Sequence, residues 1–166
     1  MCRNNCKKTW ILFYLSWKNG LNFEKYIVER FPINFKIKNW TGDKYINGKY
    51  DKHNLDPDLI VDIETPKQIC TIAIECKFRM GFAGEWVFVA KDYQLERYRK
   101  YQAENNTPVF IAIGVGGSGA NPEHLFMVPV NALKFSGAKH EYLNRFKLNE
   151  KKKFFFFIKN KTFKYK

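Results

Sequence analysis

Pro57-Asp58, followed after a hairpin-sized gap by Ile72-Ala73-Ile74-Glu75-Cys76-Lys77, is the stretch that decides how this chain is read. It places two carboxylates and an amine at the ends of adjacent strands, an arrangement suited to a hard divalent cation. Side chains alternate along a strand with period two, so Glu75 and Lys77 share one face while Ile74 and Cys76 share the other. The lysine therefore sits beside whatever Glu75 binds. Taken singly, an Asp next to a Pro is an ordinary turn and a Glu-x-Lys strand edge is an ordinary solvated face. It is the two together, in that order, that point to chemistry.

Working outward, Leu59 to Ile63 reads as one strand and Cys70 to Phe78 as the next. Thr65-Pro66-Lys67-Gln68 separates them, so an antiparallel pair is the simplest connection and brings Asp58 and Lys77 to one sheet end. Upstream, Asn19-Gly20 predicts a turn and Asn22 the cap of a helix running to about Arg30, with Phe23, Ile27 and Phe31 on one face and Pro32 helping to end it. Ile33 to Trp40 alternates as the first strand, and Thr41 to Asn54 reads as a polar loop or twisted hairpin. Downstream, Met80 to Trp86 predicts a loop at the edge of the site, and Asp92 to Glu104 a helix with Glu96 and Lys100 paired one turn apart. Pro108 to Val115 is nearly continuous apolar sequence, the pattern of an internal strand covered on both faces. Leu125 to Val130 predicts a further strand, at an edge because Pro129 lacks a ladder donor. The run from Gly114 to Gly119 has no Gly-Lys-Ser/Thr ending and runs into Asn121-Pro122. It reads as a flexible loop or DNA-facing turn, and no nucleotide cofactor is expected.

Pro57-Asp58 with Glu75-Cys76-Lys77 resembles the motif of the PD-(D/E)xK, or restriction-endonuclease-like, nuclease superfamily. The resemblance covers about Leu21 to Tyr101, with the later strands consistent with it. It implies an α/β fold in which helices flank a mixed central β-sheet, and a metal-dependent endonuclease hydrolysing phosphodiester bonds in DNA. Carried onto this sequence, Asp58 and Glu75 hold Mg²⁺ or Mn²⁺ and Lys77 lies by the attacking water. The Cys76 carbonyl is a candidate additional oxygen ligand. Many members supply a glutamate from the helix before the core strands, which here is Glu24 in Asn22-Phe23-Glu24-Lys25; the helix dipole also accounts for an acid in a first turn. Gln94-Leu95-Glu96-Arg97-Tyr98 resembles the Gln-x-x-x-Tyr motif of the RecB-like and related branches. That likeness implies that Gln94 and Tyr98, which share a helix face, lie beside the site and help position DNA. Asp62 and Glu64 have the parity of Asp58, but Asp62 is about 13 Å farther along an extended strand. Asp56 could substitute only if the turn bends unusually.

The chain has 166 residues, the size of one domain (1–166) able to bury a core without a disulfide or zinc staple. Its 29 Lys and Arg against 16 Asp and Glu give a formal charge of +13, which favours polyanionic partners without choosing between nucleic acid and anionic lipid. From Lys134 to Lys166 there are eleven Lys or Arg and two Glu, a net of nine positive charges. Phe154, Phe155, Phe156, Phe157 and Ile158 make that segment too apolar for a simple disordered arm, so it reads either as a packed terminal element with solvent-facing lysines or as a loosely attached phosphate-binding extension. The apolar patch from Trp10 to Trp17 falls far short of the roughly 20 residues of a bilayer span, and no small-residue cleavage site follows it. No membrane span is expected, and a cytoplasmic, intracellular location is. Cys2, Cys6, Cys70 and Cys76 have no metal-hook spacing, and His53, His124 and His140 add none, so the cysteines read as free thiols.

DNA is favoured over RNA by the resemblance, since positive charge reads phosphate and not sugar. Arg79, Lys91, Arg97, Arg99 and Lys100 flank the expected site as candidate phosphate contacts, while Phe82 and Trp86 are expected to pack rather than to stack on bases. A compact nuclease that cuts two strands often works as two copies, so a homodimer is expected. Two other readings compete: a non-catalytic nucleic-acid-binding module on the same sheet, and a basic protein held at a membrane surface by its Lys/Phe-rich tail.

Overall fold

The computed structural model describes residues 17–41, 45–46, 49–50 and 56–165. Along the chain come helix α1 (residues 17–29), β1 (Phe35–Trp40), the short strands β2 (Tyr45–Ile46) and β3 (Lys49–Tyr50), β4 (Leu59–Glu64), β5 (Ile69–Arg79), β6 (Trp86–Phe88), α2 (Asp92–Asn105), β7 (Val109–Ser118) and β8 (Asn121–Pro129). They are followed by β9 (Gly137–Lys139), α3 (His140–Leu143), β10 (Lys147–Leu148), β11 (Phe154–Phe157) and β12 (Thr162–Tyr165). Most of the Trp10–Trp17 patch, most of the polar stretch between Thr41 and Asn54, and Cys2, Cys6 and His53 lie outside the described residues. No helix among the described residues is long and apolar enough to cross a membrane.

A six-stranded sheet in the order β1-β4-β5-β7-β8-β10 forms the centre. Neighbours are antiparallel except β5 and β7, which run parallel and are joined through α2, so the sheet is mixed. Leu59 of β4 faces Ile74 of β5, which sets Asp58 beside the Cys76 level of the central strand, as the antiparallel reading predicts. Alternation along β5 divides the interior in two. Ile72 and Ile74 face Phe23, Tyr26 and Ile27 of α1, with Cys76 packed against the same cluster, while Ala73 faces the side covered by Leu95 and Tyr98 of α2. The basic C-terminal segment is a packed element: β11 and β12 form a hairpin whose Phe154, Phe156 and Phe163 close the α1-side core against Phe31, Phe35 and Phe110.

Several local expectations give way to tertiary contacts. Asn19-Gly20 is not a turn and Asn22 is not a cap, because both lie inside α1. Asn19 instead docks the helix on the β7–β8 tip, its Oδ1 accepting from the Gly119 N–H at 3.2 Å. A Cβ at Gly119 would meet the Asn19 carbonyl oxygen at 2.0 Å, so only glycine allows this approach. The run Gly114–Gly119 is mostly strand rather than flexible loop: β7 continues to Ser118 and pairs with β8, with Gly116 and Gly117 at φ 75° and 65° bending the ladder. β8 is not a sheet edge at Leu125 and Phe126, where β10 pairs with it, although β10 stops short of Pro129. On α2, Lys100 makes its ion pair with Glu104 at 3.7 Å rather than with Glu96.

Candidate active site at the end of the central strand

Three acidic side chains are buried among the described residues, and they are the three that the sequence singles out: Asp58 and Glu75 are 2% exposed and Glu24 9%. Burying a carboxylate is costly unless it is paired, hydrogen-bonded or bound to a cation, so each requires a structural reason. Asp58 sits just before β4. Its Oδ2 accepts from the Cys76 N–H at 2.8 Å, and its carbonyl accepts from the Thr41 N–H at 2.9 Å, which pins the end of β4 between β1 and β5. Glu75 points to the α2 side, where its Oε1 takes the Lys77 ammonium at 2.6 Å and its Oε2 has no hydrogen-bond partner. Glu24 comes from α1, and its Oε2 accepts from the Trp40 indole N–H at 3.0 Å.

The electrostatics converge on Cys76. Its thiol is pushed well above the usual range, first by burial and then by the charges of Asp58, Glu24 and Glu75, with Lys77 opposing them. The thiol turns into the α1-side core, as the strand parity predicts, and stays protonated. On the other face the Tyr98 ring is fully buried. Its hydroxyl pKa is raised by burial first and by the adjacent Glu75 carboxylate second, and Arg97 Nη2 donates to that hydroxyl at 3.3 Å. Lys77 Nζ lies 6.0 Å from the centre of the same ring. Lys77, Glu75, Tyr98 and Arg97 therefore form a continuous polar file beneath α2.

The remaining candidates divide. Gln94, in the first turn of α2, accepts from the Lys91 N–H through its Oε1 at 3.0 Å and so closes the start of the helix. Arg79 reaches the carbonyls of Phe78, Phe88 and Val89, and Arg99 the carbonyl of Leu133. Both are occupied with backbone oxygens rather than standing free for phosphate. Phe82 packs as expected, against His124 and His140, whereas Trp86 is half exposed with Lys139 over its ring. Asp62 is held by Thr71 at 2.6 Å and faces Lys38, away from Asp58 along β4. Sequence reasoning missed Trp40 and Thr41, which fix Glu24 and Asp58 from the end of β1. The available signal was a tryptophan closing the alternating first strand.

Among the described residues, no three His, Cys, Asp or Glu side chains are grouped closely enough to hold a metal ion. The donor chemistry nevertheless fits a hard cation. All the candidate donors are oxygens, and the Glu75 carboxylate is buried beside the Tyr98 hydroxyl with only its Oε1 in the Lys77 pair.

No family model matches the chain, and no curated protein does. Among solved structures, the fold is similar to that of Hjc, a Holliday junction resolvase from the archaeal hyperthermophile Archaeoglobus fulgidus. The two align with a TM-score of 0.52 at 14% identity, covering 76% of this chain and 88% of that one. At that identity the likeness is one of fold, and the fold is the restriction-endonuclease-like α/β architecture.

Proposed function

We propose that this protein is a divalent-metal-dependent endonuclease acting on DNA, with its active site at the end of β5. The observation that carries the reading is the burial of Glu24, Asp58 and Glu75 together around Cys76, with Lys77 on Glu75. A fold has little structural use for three buried acids at one strand end, and such burial is the usual mark of a functional site. Asp58, Glu75 and the Cys76 carbonyl would hold Mg²⁺ or Mn²⁺, with Glu24 as a further oxygen ligand. When bound, the cation supplies positive charge against a phosphate oxygen and lowers the pKa of a coordinated water.

The chain's own residues do the rest. Lys77, released from Glu75 Oε1, presents an ammonium to the attacking water and to the charge that develops on the phosphate. Tyr98 and Arg97 hold the Glu75 side of the site, and Trp40 holds Glu24. Gln94, one turn before Tyr98 on α2, would position the DNA backbone. The net charge of +13 raises the local concentration of a polyanionic substrate. A homodimer would place two such sites on the two strands of a duplex.

The rival is a nucleic-acid-binding module that has kept the fold without cleavage, and the lack of a ready-made three-ligand cage among the described residues favours it. The deciding experiment incubates wild type and Glu75→Ala with linear, supercoiled, branched and single-stranded DNA in Mn²⁺, Mg²⁺ or EDTA. Cleavage that requires both the cation and Glu75 is the expected result. Binding without cleavage on every DNA would instead establish the module.

A further inference from the structure

Two phenylalanines of the C-terminal hairpin face water. Along β11, Phe154 and Phe156 enter the core, while Phe155 and Phe157 stay 42% and 41% exposed. Their rings lie 5.0 Å apart at 59°, so they form one aromatic patch rather than two scattered exposures. Across the ladder Phe155 faces Lys164 and Phe157 faces Thr162, and Lys164 Nζ stands 5.3 Å from the centre of the Phe157 ring. Lys159 and Lys161 occupy the intervening turn, and residues 147–166 carry eight lysines against the one acid Glu150. Lys153 is already occupied by the carbonyls of Glu29 and Phe31, while Lys159, Lys161 and Lys164 are exposed. Exposed π-faces set among cations are what an unpaired strand requires: a surface for its bases and charge for its phosphates. A duplex keeps its base faces stacked on one another and can use only the charge.

We propose that the outer face of this hairpin, Phe155 and Phe157 with Lys164, is a stacking platform for single-stranded DNA, separate from the buried carboxylates. The proposal rests on the nucleic-acid reading above and narrows its substrate. Phe157 and Lys159 line a groove with the turn Thr65 to Gln68, which follows Glu64 at the end of β4 opposite Asp58. Six residues of strand put about 20 Å between platform and active site, the span that an unpaired strand held on both has to cover. The fitting substrate is DNA with an unpaired stretch of that order next to the bond to be cut.

The test uses the full chain in EDTA, so that binding is read without cleavage. Fluorescence anisotropy compares a labelled oligothymidylate with a duplex of equal length for wild type, Phe155→Ala/Phe157→Ala and Phe155→Trp/Phe157→Trp. The alanine variant should lose about ten- to a hundred-fold in single-strand affinity while its duplex affinity stays within about two-fold, and the tryptophan variant should retain both. The salt dependence should be unchanged because no charge is lost. Because both rings lie outside the core, circular dichroism should show the fold intact. Equal loss on both DNAs, no loss on either, or no single-strand binding by wild type would overturn the proposal. So would conversion of a dimer to monomer by the alanine variant in sedimentation, which would give the patch to a second copy of the chain. Cleavage measured separately in Mn²⁺ distinguishes its failure from that of the nuclease reading, since an inactive protein can still show the single-strand preference.

Discussion

Replacing Lys77 by methionine tests the site without DNA. The Lys77–Glu75 pair is separated by 2.6 Å, which corresponds to an attraction of about 6 kcal/mol at an effective dielectric of about 20. Much of that only offsets the desolvation of Glu75, whose side chain is 2% exposed, and breaking a buried pair from one side costs about 3–5 kcal/mol. The Lys77 side chain is itself 16% exposed, so the lower end, about 3 kcal/mol, applies. For a chain of this size that is a fall in Tm of about 6–12 °C. Divalent cation should reverse part of it. In wild type the ion must displace the ammonium from Glu75 Oε1, whereas in Lys77→Met it meets a carboxylate whose Oε1 is already open. Mn²⁺ at about a hundred times its Kd would return about 2.7 kcal/mol, so the rise in Tm with Mn²⁺ should be larger in Lys77→Met than in wild type. Differential scanning fluorimetry across a Mn²⁺ series measures both quantities, and a Lys77→Met/Glu75→Gln cycle isolates the pair. An unchanged Tm without metal, or a Mn²⁺ response no larger than that of wild type, would refute the reasoning.

Other substitutions probe the surroundings. Asp58→Asn should preserve an acceptor for the Cys76 N–H and abolish the heat of Mn²⁺ binding in calorimetry, whereas Asp58→Ala should in addition cost about 1–3 kcal/mol in urea unfolding, because it orphans that N–H. Trp40→Phe removes the donor to Glu24 and should cost about 1.5 kcal/mol, with a few-fold weaker Mn²⁺ affinity by titration. Gly114→Ala would drive a methyl to 2.4 Å from the Phe23 ring, so denaturant melts should show about 1–3 kcal/mol of destabilisation. Phe154→Ala should cost about 3–5 kcal/mol in the same assay if the hairpin belongs to the core; a loss under about 1 kcal/mol would mean that it is only draped over the surface.

What was legible in the sequence followed from short-range rules. Period-two alternation in β5 and the short turn before it placed Asp58, Glu75 and Lys77 at one sheet end, and the apolar run of β7 showed a strand covered on both faces. The errors arose where a distant contact outweighed a local preference. Asn19-Gly20 carries a turn preference, but docking on Gly119 keeps it helical, and the glycines after Ile113 read as a loop although pairing with β8 makes most of them strand. The fates of Arg79 and Arg99 could not be read at all, because the carbonyls that hold them, at Phe88, Val89 and Leu133, belong to neighbours that only the fold brings close. Trp40 was hidden for the same reason, since its role depends on α1 crossing the end of β1.

The hairpin of β11 and β12 also sets the order of events as the chain is made. Phe31, Phe35 and Phe110 leave the ribosome long before Phe154, Phe156 and Phe163, the side chains that cover them. At about 5–20 residues per second the emerging chain carries an unroofed aromatic surface for several seconds. Over that interval the nascent protein is a client for chaperones, and a ribosome that stalls before residue 154 would hold a sticky intermediate rather than a smaller folded protein.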